Sequence, residues 1–276
     1  MFGIATRKAA LIPKLHLLTD WIGAHIGVEL TAFVATSYDD LARGIRQEAV
    51  DVAWMPPIVF VHLEREGIAA PIVNNWRAGL ASYHAALVVP KSARIHTILG
   101  LQGARAAWVD PFSASGYVLP RIQLVALGVN PKLAFSEERF VGSHESVIRE
   151  ILDGRADVGA TYATVNEAGV AIQGGWTDVP GGADFVRVLT TFGAIPSDLV
   201  AARVSLDPEV AEAFEQAFVA IRKDFGAAHL AREVLGVEEF RPGAGDGYGA
   251  LRRAVADAAS HGLLDALGVR PASMRP

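Results

Sequence analysis

Two short stretches of this chain gather residues suited to holding a small anion. The first is Asp110-Pro111-Phe112-Ser113-Ala114-Ser115-Gly116-Tyr117. It follows a strand-like run and opens a helical pattern. Its small residues let the backbone come close to a ligand. Its serine hydroxyls and free N–H groups point outward at the positive end of a helix dipole. Ser113 serves equally well as an ordinary helix cap. Pro120 requires either an irregular first turn or a helix that starts later than Ser113, because proline does not fit a regular helix interior. The second stretch is Gly142-Ser143-His144-Glu145-Ser146, between a strand and a helix from Val147 to Leu152 that Gly154 closes. At a helix N-terminus the dipole disfavours an imidazolium, so His144 is expected as a neutral donor. A cap or surface role is the plainer alternative. Ligands of open α/β sheets bind beyond the carboxyl ends of the strands, where such turns collect, so the two stretches suggest a shared site.

Other chemistries lack their groups. The chain has no cysteine, which excludes disulfides, thiolate metal sites and a cysteine nucleophile. Its eight histidines are scattered, with no His-Glu-x-x-His helix. Gly243-Ala244-Gly245-Asp246-Gly247-Tyr248-Gly249 is neither a dinucleotide fingerprint nor a phosphate-binding loop, and Ser113 has no assigned general base. No catalytic residue, cofactor or metal is therefore expected. The net charge of −5 gives no reason to expect a nucleic acid or an anionic membrane as partner, so an anionic ligand must be held by local donors. No run of about 18 apolar residues exists, and no membrane span is expected. The longest candidate, Val50 to Val61, carries Asp51, Pro56 and Pro57. Met1 leads directly into a strand-like Phe2-Gly3-Ile4-Ala5 with no basic region before an apolar one. The sequence as given reads as cytoplasmic unless its start is trimmed or misassigned.

The elements that must position these turns follow an α/β alternation with a largely parallel sheet. Strands are predicted at Phe2–Ala5, Glu29–Val34, Val50–Trp54, Ala104–Val109, near Phe135–Phe140, and at Val158–Thr161. Helices are predicted at Leu11–Ile26, from Thr36 to about Gln47, at Ile58–Glu66, from the serine turn to Gly128, and at Ser146–Leu152. Thr36 with Asp39 is read as a capping box. Gly174-Gly175 and Gly181-Gly182 read as loop. After Thr191 the pattern is mostly helical, with periodic stretches at Pro208–Phe225 and Tyr248–Leu267. Ala85–Val89 and Val186–Leu189 are strand-like and border a change of region. The expectation is a hinged two-lobed molecule with two crossings. One lobe is built from residues 1–84 and 191–276, the other from 85–190.

The order and spacing of several motifs closely resemble the phosphate/phosphite/phosphonate-binding family of ABC-transporter substrate-binding proteins. They are Asp51-Val52-Ala53-Trp54-Met55-Pro56-Pro57, Tyr83, the Asp110–Tyr117 stretch with Pro120, Phe140 to His144, and Gly154 to Thr161. The resemblance covers roughly residues 1 to 250 and implies a type II periplasmic-binding-protein fold with a ligand cleft between the lobes. By position it implies that Tyr38 and Tyr83 line the first lobe's side. Ser113, Ala114 (through its backbone) and Ser115 would hold phosphonate oxygens, and His144 would donate from the facing turn. Asp198, in Ile195-Pro196-Ser197-Asp198, would be the acid that meets a ligand amine; the alternative is a turn residue after proline. Both tyrosines are otherwise ordinary packing residues. The family usually carries a hydroxyl where this chain has Ala114, and a missing donor to a charged oxyanion costs roughly 1.5–3 kcal/mol. Arg7 and Lys8 offer replacement charge or a solvated surface. The family is exported and serves a permease.

A monomeric solute-binding protein for a phosphonate, phosphite or phosphate-like anion is the reading that follows. Two others stand beside it. One is an enzyme of the same fold acting on a small carboxylate, similar to chorismate dehydratase; the absent export signal favours it. The other is a metabolite-sensing regulatory domain. The Ser-x-Ser-Gly and Gly-Ser-His motifs favour the binding protein.

Overall fold

The computed structural model describes residues 1–77, 79–243, 245 and 247–260. Its strands are β1 (Phe2–Ala5), β2 (Ala32–Ala35), β3 (Val52–Met55), β4 (Ala69–Trp76), β5 (Ser82–Pro90) and β6 (Ala104–Trp108), followed by β7 (Phe135–Phe140), β8 (Val158–Val165), β9 (Ala171–Gly174), β10 (Val186–Pro196), β11 (Leu199–Arg203) and β12 (Glu239–Pro242). They form two sheets that share no strand. One has the order β12-β4-β11-β3-β1-β2; the other runs β10-β5-β8-β6-β7, with β9 on β8.

The chain divides into two compact units. Among the described residues, the first is Met1–Ser82 with Pro196–Gly249, and the second is Tyr83–Ile195 with 250–260. The sequence expectation placed everything after residue 190 in the first lobe. The division into units falls within the helix Tyr248–Ser260. Its apolar positions Leu251, Val255, Ala258 and Ala259 are all buried, so it is packed along its length. The end of the periodic stretch, to Leu267, lies outside the described residues. No described helix is long and apolar enough to cross a membrane.

In the first unit β1 runs parallel to β2 and β3, while β11 enters antiparallel between β3 and β4. The helix Ile12–Ile26 turns Leu15, Leu18 and Ile22 into a core with Phe2, Phe214 and Phe218. Each such side chain, once buried, contributes about 1.5–3 kcal/mol. Gly27 ends this helix in the left-handed region, φ 74°, where a side chain is disfavoured. The next helix, Tyr38–Arg46, is capped by Ser37 and not by Thr36. Asp40 donates its N–H to Ser37 Oγ at 3.1 Å and accepts from the Thr36 N–H at 3.0 Å. The box sits one residue later than predicted because Ser37 has the extended backbone a cap needs.

Two strands on either side of the predicted pattern escape it. β4 contains Pro71, which ordinarily demotes a run to an edge. The sheet takes it in through a bulge, with Val200 paired to Val73 and Ala201 to Pro71. β11 is a five-residue run inside a region that reads as helical, and it is buried almost throughout.

In the second unit β6 is parallel to β7 and β8, and β5 and β9 are antiparallel to β8. The helix His144–Leu152 packs Val147, Ile148 and Ile151 with Val88, Val109 and Trp176. The carboxyl ends of β6 and β7 are neighbours, and both anion-suited turns leave from them.

Candidate functional site

The turn after β6 is built by local hydrogen bonds. Asp110 accepts from the Phe112 N–H through its carboxylate (2.8 Å) and from the Ser113 N–H through its carbonyl (2.9 Å). Ser113 is extended, and its Oγ accepts from the Gly116 N–H at 3.0 Å. It is therefore a cap, and its hydroxyl proton is left for a further acceptor. Val118 donates to the Ser113 carbonyl at 2.9 Å, five residues back, so Ala114–Val118 forms a single π-helical turn. The α-helix proper is Leu119–Ala126, with Pro120 in its first positions. This is the irregular first turn that Pro120 demanded. π turns of this kind often mark functional sites. Buried Arg121 pairs with Glu138 on β7, which also accepts from Trp108 Nε1 at 2.8 Å, and this fixes the helix to the sheet. Ser113, Ala114 and Ser115 are all buried. Ala114 offers only its backbone, as the sequence implied.

The turn after β7 is tied to the first. Val141 donates to Trp108 O at 2.9 Å and Gly142 donates to Val109 O at 2.7 Å, which carries the β6–β7 pairing into both loops. Ser143 caps the next helix, accepting from the Ser146 N–H at 3.0 Å, so the helix starts at His144, two residues earlier than predicted. His144 Nδ1 lies 3.0 Å from Thr161 Oγ1 on β8, and the ring meets Tyr162 edge-on at 5.2 Å. Burial pushes the His144 imidazole down to about 4, so the ring is neutral at pH 7. The expected neutrality holds, but desolvation is its cause.

Thr161 was visible in the sequence only as the end of a strand and of a family motif, with no contact assigned to it. It is fully buried, and a Cβ on Gly175 would lie 2.2 Å from its Oγ1, so Gly175 closes over it. The only signal was the glycine pair 174–175, which sequence rules read as loop.

The other candidates are described within their own units. Tyr38 opens the helix Tyr38–Arg46 in the first unit. Tyr83, expected in the first lobe, is the first residue of the second unit, in β5. Arg7 Nε donates to Thr36 O at 3.1 Å. Asp198 accepts from Arg77 at 2.6 Å, and the same guanidinium donates to Gly236 O at 2.7 Å and Leu235 O at 3.2 Å. Asp198, just before β11, is thus part of a clamp with Arg77, just after β4, and the end of the helix Phe225–Leu235. Asp198→Asn is expected to cost about 1–2 kcal/mol, since charged hydrogen bonds are worth more than neutral ones and Arg77 is partly solvated. Urea unfolding of the variant measures it; an unchanged midpoint would show the clamp to be idle.

Comparison with known proteins adds the following. The model of the family described as ABC transporter, phosphonate, periplasmic substrate-binding protein matches residues 5–248. A Xanthomonas citri protein bound to chloride ion is 21% identical, with TM-score 0.79, over 94% of this chain and 98% of that one. The binding-protein component of an ABC phosphonate transporter from Pseudomonas aeruginosa is 20% identical, with TM-score 0.78, over 93% and 85%. PhnD1 from Prochlorococcus marinus, in complex with methylphosphonate, is 17% identical, with TM-score 0.76, over 93% and 96%. The fold is the α/β, type II periplasmic-binding-protein fold expected from the sequence.

Proposed function

The chain belongs to the family of phosphonate periplasmic substrate-binding proteins of ABC transporters, and from that membership we propose that it holds a small tetrahedral oxyanion, phosphonate-like in kind, on the two turns that leave β6 and β7. The observation that carries this is their linkage. The Gly142 N–H to Val109 carbonyl bond sets the Ser113–Ser115 turn and the His144 turn side by side at the carboxyl ends of paired parallel strands. Ser113 and Ser115 supply hydroxyls, and first-turn N–H groups supply charge-free donation. In the tautomer whose Nδ1 accepts from Thr161 Oγ1, neutral His144 presents Nε2–H to the anion. Ala114 removes one side-chain donor, which suits an anion with fewer oxygens to satisfy than phosphate.

The relatives bear on this only by analogy: one similar structure holds methylphosphonate and another chloride. The remaining candidates, Tyr38, Tyr83 and Asp198, rest on the family resemblance, and single Phe or Asn variants titrated with the best ligand test each.

Binding without turnover fits the groups present. Serine and tyrosine hydroxyls titrate far from neutrality. His144, held near 4, is a weak base at pH 7. Delivery to a permease, as a monomer and without nucleic acid, completes the proposal.

The test is a thermal-shift and calorimetric screen against methylphosphonate, phosphite, phosphate, an alkanesulfonate and small carboxylates. A ligand at a hundred times its Kd should stabilise by about 2.7 kcal/mol, or roughly 5–10 °C for a chain of this size. Ser115→Ala or His144→Ala should lose about 1.5–3 kcal/mol of affinity. A carboxylate as best ligand, consumed when followed by NMR and spared in both Ser113→Ala and His144→Ala, would replace this reading with an enzyme.

A further inference from the structure

The glycine pair Gly174-Gly175, which reads as loop in the sequence, lies directly against the two residues of β8 that touch His144. A Cβ on Gly175 would meet Thr161 Oγ1, and one on Gly174 would lie 2.3 Å from the Tyr162 carbonyl oxygen. The Gly175 N–H donates to that same carbonyl at 3.3 Å. A side chain at either position would push this turn off β8. Thr177 closes the turn, donating to the Gly174 carbonyl through its N–H at 2.8 Å and its hydroxyl at 2.7 Å. The close approach brings the next residue, Asp178, to the Tyr162 side chain, and its carboxylate accepts from the Tyr162 hydroxyl.

A chain of contacts then ends on the anion donor. The Tyr162 ring meets the His144 imidazole edge-on, with centres 5.2 Å apart and planes at 85°. Edge-to-face is a favoured arrangement of two aromatic rings. Thr161, one residue back, meets Nδ1 at 3.0 Å. The two contacts do different things. The Thr161 bond selects which ring nitrogen carries the proton, but one hydrogen bond leaves the ring free to swing about it. A second contact on the ring removes that freedom. Asp178 is exposed, so its bond adds little to stability. A carboxylate beside an anion donor also opposes anion binding by charge alone.

We propose that Asp178 is a positioning residue for anion binding: it fixes the Tyr162 ring against His144 and so keeps Nε2–H aimed at the ligand before the ligand arrives. The inference rests on the reading of His144 as an anion donor. A donor ordered in advance loses less freedom on binding, and precise sites hold their donors through supporting contacts of this kind. Asp178 acts through Tyr162 and does not itself touch the anion. The glycine pair gains a task as well, since it lets one turn reach both residues that hold the imidazole.

The experiment has two arms, both on the full chain. The first follows the His144 ring by long-range ¹H–¹⁵N NMR without ligand, its signals assigned by their loss in His144→Gln. They should move in Asp178→Ala and in Tyr162→Phe, because both changes break the same tie. The second measures affinity for methylphosphonate, phosphite and phosphate by calorimetry. Each variant should bind about threefold to tenfold more weakly, which corresponds to ordering one side chain at the moment of binding. Asp178→Asn, which keeps an acceptor, should bind nearly as wild type does. Asp178→Ala should add nothing in the Tyr162→Phe background, since residues that act through one another are not additive. Urea midpoints should stay close to wild type throughout. Either unmoved ring signals or unchanged affinity would overturn the proposal. So would tighter binding in Asp178→Ala, which would show the carboxylate to act by repulsion alone, or fully additive losses in the double variant. Wild-type protein that binds none of the three anions would overturn the anion reading and this role with it, while the ring arm still shows whether Asp178 orders His144.

Discussion

Gly116→Ala is expected to cost about 3 kcal/mol of stability and to abolish anion binding. A Cβ there would lie 2.3 Å from Val109 Cγ2, 2.6 Å from Val109 Cβ and 2.7 Å from Ser113 Oγ. Val109 is a core residue, and it cannot retreat without disturbing Val147 and Trp176 in the same cluster. Gly116 cannot retreat either, since its N–H donates to Ser113 Oγ and its carbonyl accepts from the Val109 N–H at 3.1 Å. Overpacking a core of this kind typically costs 1–3 kcal/mol or somewhat more. The hydrogen bond that orients Ser113 would break as well, which couples stability to binding. Gly226→Ala is the control. Gly226 is exposed, with its nearest neighbour 3.4 Å from a Cβ, so alanine there should be neutral or stabilising by a few tenths of a kcal/mol. Urea unfolding with a methylphosphonate titration of both variants checks the pair. Equal stability of the two would mean that Gly116 is not packed as described.

Acidification should weaken the fold through His144. Its imidazole is held near 4 by burial, against 6.5 in the unfolded chain. Between those values the unfolded chain takes up a proton that the folded protein refuses. Stability therefore falls as pH drops from about 6.5 toward 4, and this contribution levels off below. The gap corresponds to roughly 3 kcal/mol. His62 and His84 are also lowered by burial and add losses of the same sign. The difference between wild type and His144→Gln isolates the contribution of this ring: the variant should show a flatter profile between pH 6.5 and 4, with little change above pH 7. Parallel profiles would mean that the ring is solvated in the folded protein.

The sequence by itself carried the α/β alternation, the strands Phe2–Ala5 and Phe135–Phe140, and the two donor turns. It also carried the irregularity that Pro120 imposes. These are readable because strand periodicity, helix stop signals and proline's missing N–H act within a few residues. Motif order over most of the chain carried the family.

The tertiary structure decided what depends on distant partners. β4 and β11 are strands because each lies between neighbours that take its backbone groups, a fact Pro71 and the helical surroundings hide from local rules. Asp198 became a structural partner of Arg77, which is 121 residues away in sequence. Thr161 came to His144 through the folding of β8 beside β6, and desolvation, which is a property of packing, set the charge of that ring. Asn75 looks like an ordinary polar strand residue in sequence. Only the folded structure shows that both halves of its amide are buried without partners, because burial is the sum of contacts from every element around it.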